Sequence, residues 1–199
     1  MTSTERQIHS LLRRAGAARS RDLVAAGITR SQLSRMVAAG QVVRVARGLY
    51  ALPEYQSGEH GALVTVAKRA PGVVFCLLTA LRIHDLTTQA PFEVWIAIGN
   101  KDHPPRLDYP PLRTVRFSAA ALVAGVETRR IDGVQVRVTC VAKTVADCFK
   151  FRNKIGLDVA LEALREARRA KQASADELWR YAKINRVTNV MRPYLEAVA

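Results

Sequence analysis

Twelve residues near the amino terminus, Thr29-Arg-Ser-Gln-Leu-Ser-Arg-Met-Val-Ala-Ala-Gly40, constrain this chain more than any other stretch. Thr29 can accept a hydrogen bond from the free amides of a first helical turn, as a capping residue does. Leu33, Met36 and Val37 fall at i, i+3 and i+4 and form one apolar stripe. Gly40 supplies a residue suited to the left-handed conformation that ends a helix. What remains, Arg30, Ser31, Gln32, Ser34 and Arg35, makes a short-chained polar face with two positive charges. A helix this short needs support, and the neighbouring sequence offers it. Glu5 to Arg14 carries Ile8, Leu11 and Leu12 on one face, and Ser20 is expected to cap a short helix holding Leu23 and Val24. Ala26-Gly27 reads as a tight turn into the Thr29 helix. Downstream, Val42, Val43 and Val45 suggest one strand and Leu49 to Leu52 a second, with Gly48 near the bend. Three helices followed by a hairpin is the order of a winged helix-turn-helix.

The exposed residue types suit a duplex groove. Arginine bonds bidentately to guanine O6 and N7, glutamine in the same manner to adenine, and serine to either. Arg30, Ser31, Gln32 and Arg35 are therefore expected to read base edges, with Thr29 and Ser34 holding helix and phosphate. Arg44 and Arg47 would sit on the wing, within reach of a phosphate or the minor groove. Arg19 and Arg21, at the start of the second helix, complete the expected DNA-binding set. Taken alone, Arg30 and Arg35 fit ordinary solvated helix charges; the succession of elements around them is what points to double-stranded DNA. Charge distribution agrees. The chain carries 31 Lys and Arg against 17 Asp and Glu, a net charge of +14, and residues 1–52 hold nine arginines against two acids. Half of the excess thus lies in about a quarter of the chain, the footprint of a surface that displaces counterions from phosphates.

A length of 199 residues allows a small module and one larger domain with its own core. The expected division is residues 1–52 as the winged helix, 53–61 as a polar, turn-rich linker, and 62–199 as the second domain. No leader-like apolar segment opens the chain and no run is long enough to span a bilayer, so a cytoplasmic protein without membrane contact is expected. Cys76, Cys140 and Cys148 are odd in number and lack metal-ligand spacing, which suggests buried free thiols.

In the second domain, Leu63, Val66 and Ala67 suggest a helix stopping before Pro71-Gly72, Val73 to Phe75 a short buried run, and Leu77 to His84 another helix. Phe92 to Gly99 reads as a central strand, 100–111 as a proline-bearing loop, and Leu112 to Phe117 as a further strand. Val126 to Thr139 is a hairpin about Asp132-Gly133, a pair that favours a type I′ turn. Beyond Cys140 the spacing is helical throughout. Strands first and helices last predict an α+β fold: a winged helix-turn-helix, then a mixed-sheet domain finished by a carboxy-terminal helical bundle.

No catalytic set emerges. Asp102 and Asp108 are too far apart for a two-metal pair. Asp85 and Glu93 begin a nuclease-like pattern, but Trp95 stands where lysine is required, and Asp132 with Gln135-Val-Arg137 fails likewise. His9, His60, His84 and His103 are scattered and form no zinc set. His84-Asp85 reads as a helix end. Lys143, Thr144 and Asp147 are expected on the polar side of an amphipathic helix, Asp147 pairing with a cation such as Arg152 or Arg137. Arg165, Arg168, Arg169 and Lys171 form a basic helix end, either a solvated face or a partner surface. No enzyme activity, metal or cofactor is expected.

Several motifs occur in a telling order: Arg47-Gly-Leu-Tyr50, Cys76-Leu-Leu-Thr-Ala-Leu-Arg-Ile-His-Asp-Leu86, Val141-Ala-Lys-Thr-Val-Ala-Asp-Cys-Phe149 and Asn153-Lys-Ile-Gly-Leu-Asp-Val-Ala-Leu161. In this the chain resembles the AbiEi-type antitoxins of type IV (abortive infection) toxin–antitoxin systems. Cys76 departs from the small polar residue more usual there. The resemblance implies a winged helix that binds inverted repeats in its own operon promoter and represses transcription. It also implies a second domain that counteracts a toxin of nucleotidyltransferase fold, with or without a stable complex. Lacking an apolar heptad seam, the chain is expected to be a monomer in solution that pairs on DNA. The rival reading is a one-component regulator whose second domain senses a ligand.

Overall fold

A computed structural model of the protein describes residues 3–15, 17–46, 48–53, 61–89, 93–107 and 110–197. The chain divides into two units, one comprising Met1–Gly72, Pro105–Pro111 and Arg129–Val136, the other Val73–Pro104, Leu112–Thr128 and Arg137–Ala199.

The first unit runs α1 (Ser3–Ala15), β1 (Ala17–Arg19), α2 (Ser20–Ala25), α3 (Arg30–Ala38), β2 (Val43–Ala46), β3 (Leu49–Ala51) and α4 (Gly61–Arg69). Its core gathers Ile8 and Leu12 of α1, Leu23 of α2, Leu33 and Met36 of α3, and the flanking Ile28, Val42 and Leu52. Of the apolar positions that the helical spacing singles out, Leu11 and Val37 pack on this core partly buried, and Val24 is instead exposed, at 45%, because the short α2 turns only Leu23 inward. β3 lies between β1 and β2 and runs antiparallel to both. β1 was not expected: Ala-Ala-Arg has no alternation of its own, and its strand character comes from pairing Ala18 with Tyr50 and Arg19 with Leu49. Ser20 is not the cap it was expected to be. It is the first residue of α2, and its amide donates to the Gly48 carbonyl at 2.9 Å, extending the sheet. α4 packs on β1 and falls within the first unit, where the sequence reading began the second domain at residue 62. Residues 54–60 of the expected linker lie outside the described residues.

The second unit opens with β4 (Val74–Phe75), α5 (Leu77–Ile83), β5 (Val94–Gly99), β6 (Leu112–Phe117) and α6 (Ala119–Val123), and β7 (Val126–Ile131) and β8 (Val134–Thr139) follow in the chain. Five helices complete it: α7 (Val141–Lys150), α8 (Arg152–Ile155), α9 (Leu157–Arg169), α10 (Ala175–Asn185) and α11 (Thr188–Ala197). The sheet order is β6-β5-β4-β8-β7, with β4 antiparallel to β5 but parallel to β8, and β5 parallel to β6. The fold is therefore α+β with a mixed sheet. β5 is flanked on both sides, and its residues Val94 to Ile98 are all buried. β8 instead alternates, with Val136 and Val138 buried and Gln135 and Arg137 exposed. Asp132 and Gly133 both have positive φ, 47° and 78°, as a type I′ turn requires. α7 is enclosed by α5, α9, α10 and α11 and buries every residue from Ala142 to Phe149.

Candidate nucleic-acid interface

α2 and α3 are terminated by the same device. Gly27, at φ +84°, donates to the Val24 carbonyl at 2.9 Å, and Ile28 to Leu23 at 3.0 Å. Gly40, at φ +68°, donates to Val37 at 3.0 Å, and Gln41 to Met36 at 2.9 Å. Both are Schellman motifs, in which paired six- and four-residue bonds absorb the last carbonyls and only glycine reverses the chain without strain. The first motif sets Ile28 against the core beside Leu23 and points the chain into Thr29. Gln7 Nε2 donates to the Ala26 carbonyl at 2.9 Å and ties α1 to this turn.

At the start of α3, Thr29 Oγ1 accepts from the Gln32 amide at 3.2 Å, while Gln32 Oε1 accepts from the Thr29 amide at 2.8 Å. This is a complete capping box. The cap expected at Thr29 is present, and Gln32 is drawn into it. Thr29 Oγ1 also donates to Gln32 Oε1 at 2.9 Å. A glutamine reading adenine needs its oxygen and nitrogen together, and here the oxygen is bonded to its own helix. The spacing Thr29-x-x-Gln32 carried that signal in the sequence.

Arg30, Ser31, Ser34 and Arg35 are exposed along one side of α3, opposite buried Leu33 and Met36. Arg44 is exposed on β2, level with Tyr50 of β3, and a bulge shifts the register between Arg44 and Ala46. Arg47 lies outside the described residues. Arg21 is exposed and forms a 3.4 Å surface pair with Asp22, a contact of little energetic weight.

Arg19 is placed differently from the others. It is half-buried in β1, and its Nε and Nη2 make no hydrogen bond among the described residues. Burial first, and then the neighbouring Arg21, lower its pKa from the usual arginine value. Lys68 of α4 is also held below the usual lysine value, by burial and, against the opposing pull of Asp22, by Arg19. Lys68 and Arg69 therefore join the basic cluster around Arg19. Sequence reading missed them, because the pairing of β1 and the packing of α4 bring them together.

Several of the other polar candidates have structural partners. His84 is buried and its Nε2 donates to the Thr139 carbonyl at 2.6 Å. Asp102 Oδ2 accepts from the Gly99 amide at 2.9 Å, closing a turn. Asp108 and His60 lie outside the described residues. The expected polar side for Lys143, Thr144 and Asp147 does not exist, since α7 is packed on all sides and the three are buried. Asp147 pairs with Lys143 and accepts from Asn185 Nδ2 at 2.7 Å, not with Arg152 or Arg137. Burial raises its pKa, outweighing the pull of Lys143 and Asn185. Arg152 Nη1 instead donates to the Phe149 carbonyl at 2.9 Å. Cys76 and Cys148 are buried thiols pushed well up by desolvation, and Cys140 is half-buried. Among the described residues no three His, Cys, Asp or Glu side chains gather as metal ligands, and no helix is long and apolar enough to cross a membrane.

Comparison with known proteins bears on the first unit above all. Residues 5–53 match the family model described as "Transcriptional regulator, AbiEi antitoxin", which agrees with the resemblance read from the motifs. The match ends near the close of the wing. No curated protein matches the chain. The crystal structure of the RV2827C protein from Mycobacterium tuberculosis superposes with a TM-score of 0.66 at 14% identity, covering 100% of this chain and 81% of that one. At that identity the similarity is one of fold.

Proposed function

We propose, with residues 5–53 similar to AbiEi-type regulators as the premise, that this protein is a promoter-binding antitoxin. In this reading the module at residues 1–52 binds inverted repeats in its own promoter and represses the operon, and the remainder counteracts a nucleotidyltransferase-like toxin without chemistry of its own. The observation that carries the DNA-binding half is the face of α3: Arg30, Ser31, Ser34 and Arg35 exposed on one side of a helix whose other side is fixed in the core. A helix of this composition presents hydrogen-bond donors to the major groove, where arginine discriminates guanine. Arg44 on β2 supplies a phosphate contact. The desolvated guanidinium of Arg19, with donors unspent and Lys68 and Arg69 beside it, supplies another. Gln32 serves the helix cap, leaving Arg30 and Arg35 as the base readers.

Gel-shift titration of the full chain on the DNA upstream of its own reading frame tests this. Arg35→Ala is expected to cost about 1–3 kcal/mol on the cognate site and to spare random duplex. Equal losses on both DNAs would remove base readout by α3. Indifference of the intact protein to its promoter at low ionic strength would remove the function itself.

A further inference from the structure

We propose that the second unit holds a binding site for a free nucleotide, formed by Arg116, Lys150 and Arg186 around a wall of Phe117, Phe151 and Asn185. These residues line a cavity of about 390 Å³, which falls within the range of roughly 300–1,000 Å³ typical of small-molecule sites. None of the side chains lining it is a carboxylate. Three cations from three separate elements thus share one concavity with no acid among them, an arrangement whose mutual repulsion an anion would relieve.

Each cation is positioned by the fold. Arg116 Nη1 donates to the carbonyls of Gly99 at 3.0 Å and Asn100 at 2.5 Å, which fixes the guanidinium plane and leaves its other nitrogens to serve a ligand. Lys150 is the last residue of α7 and Arg186 follows α10, places where helix carbonyls favour positive charge. Arg186 also adopts φ +57°, donating to Lys183 at 3.1 Å while Val187 donates to Ala182 at 2.9 Å. Glycine is the unstrained choice at such a position, so an arginine here retains a charge at a conformational cost.

The wall is apolar and ordered. Phe117 and Phe151 stack with centroids 5.6 Å apart and planes 13° from parallel. Asn185 is 5% exposed, and its Nδ2 is committed to Asp147, so what it offers a ligand is an acceptor oxygen. Phe117 is buried between Phe151 and Lys143 and backs the wall, while the half-buried Phe151 is the ring left to meet a ligand. Cations for phosphate, an apolar ring for a flat body and an acceptor for a base or sugar donor together describe a nucleotide. The cavity is partly open, with Arg116, Lys150 and Arg186 exposed at its rim above the buried Phe117 and Asn185. A concavity of this depth suits a small ligand, and competition with an oligonucleotide separates that from a duplex backbone.

Calorimetric titration of the full chain with ATP, tripolyphosphate and adenosine provides the test. ATP is expected to occupy one site per chain and to bind more tightly than either fragment. Lys150→Ala and Arg186→Gly are each expected to weaken ATP about tenfold or more. Arg186→Gly removes the positive-φ strain, so its melting temperature should not fall, and loss of binding there is not loss of fold. Amide resonances of Phe151 and Asn185 should shift on ATP addition. The proposal is overturned if ATP gives no binding, if both substitutions leave its affinity unchanged, or if tripolyphosphate binds as well as ATP. It is overturned equally if a random oligonucleotide displaces ATP from these residues, since the surface would then belong to nucleic acid.

Discussion

Gln32 bonds the start of its own helix through Oε1, so its substitution separates two effects that would coincide in a base-reading residue. Gln32→Ala is expected to lower stability by roughly 0.3–1.5 kcal/mol, as loss of a capping element does. It should also weaken cognate and random duplex alike, which parallel gel shifts and urea melts would establish. A selective loss on cognate DNA would return Gln32 to the readers. The buried pair of Lys143 and Asp147 makes a sharper case, because neither charge reaches water. Lys143→Met alone strands a carboxylate and should cost about 3–5 kcal/mol in urea unfolding. Lys143→Met with Asp147→Leu should recover most of that loss, short of the penalty at the Asn185 amide. In the sequence both residues read as the polar side of an amphipathic helix, with Asp147 paired to Arg152 or Arg137, because helical spacing reports one buried side and cannot reveal that α7 is enclosed on every side.

Helix ends with a local signal were mostly legible, Ser20 being the exception because sheet pairing at Arg19 sets the start of α2. Thr29, Gly27, Gly40 and the Asp132-Gly133 turn each carry their conformation in their own chemistry, and the structure places them accordingly. β1 and α6 were not legible: the first exists only through its pairing with β3, and the second is five residues long under a Ser118 cap. The same locality of helix ends gives a pH prediction at α10. Glu177 accepts from Ser174 N and from Ser174 Oγ, both at 2.8 Å, and these bonds lower its pKa from the ordinary 4.5. A depressed carboxylate stabilises the fold above its ordinary value and loses that contribution as pH falls through the folded value beneath it. Melting temperature should therefore decline on the acid side of 4.5, and Glu177→Gln, which keeps the cap but cannot titrate, should flatten the decline in that window.

At the scale of the molecule, the uneven charge sets how binding responds to salt. Residues 1–52 carry nine arginines and two acids, so counterion release should dominate affinity. Arg44→Ala is expected to reduce the slope of log affinity against log salt by about one unit, equally on all sequences, in fluorescence-anisotropy titrations. Sedimentation of the free protein should give a monomer, and an inverted-repeat duplex should collect two copies; a free dimer would shift the pairing from DNA to protein. The succession of elements was legible in outline, since strands followed by helices mark the part of the chain that forms the mixed sheet and its helices. The cavity was not, because Arg116, Lys150 and Arg186 are distant in sequence and share a wall only after folding. One last consequence follows from the order of the larger sheet. Its outer strands in the described structure are β6 and β7, and they expose Arg113 and Arg116 on one, Arg129 and Arg130 on the other. Strands that end a sheet invite a neighbouring chain to continue the ladder, and fixed positive charge along both makes that continuation repulsive. That charge opposes edge-to-edge association between copies of this chain.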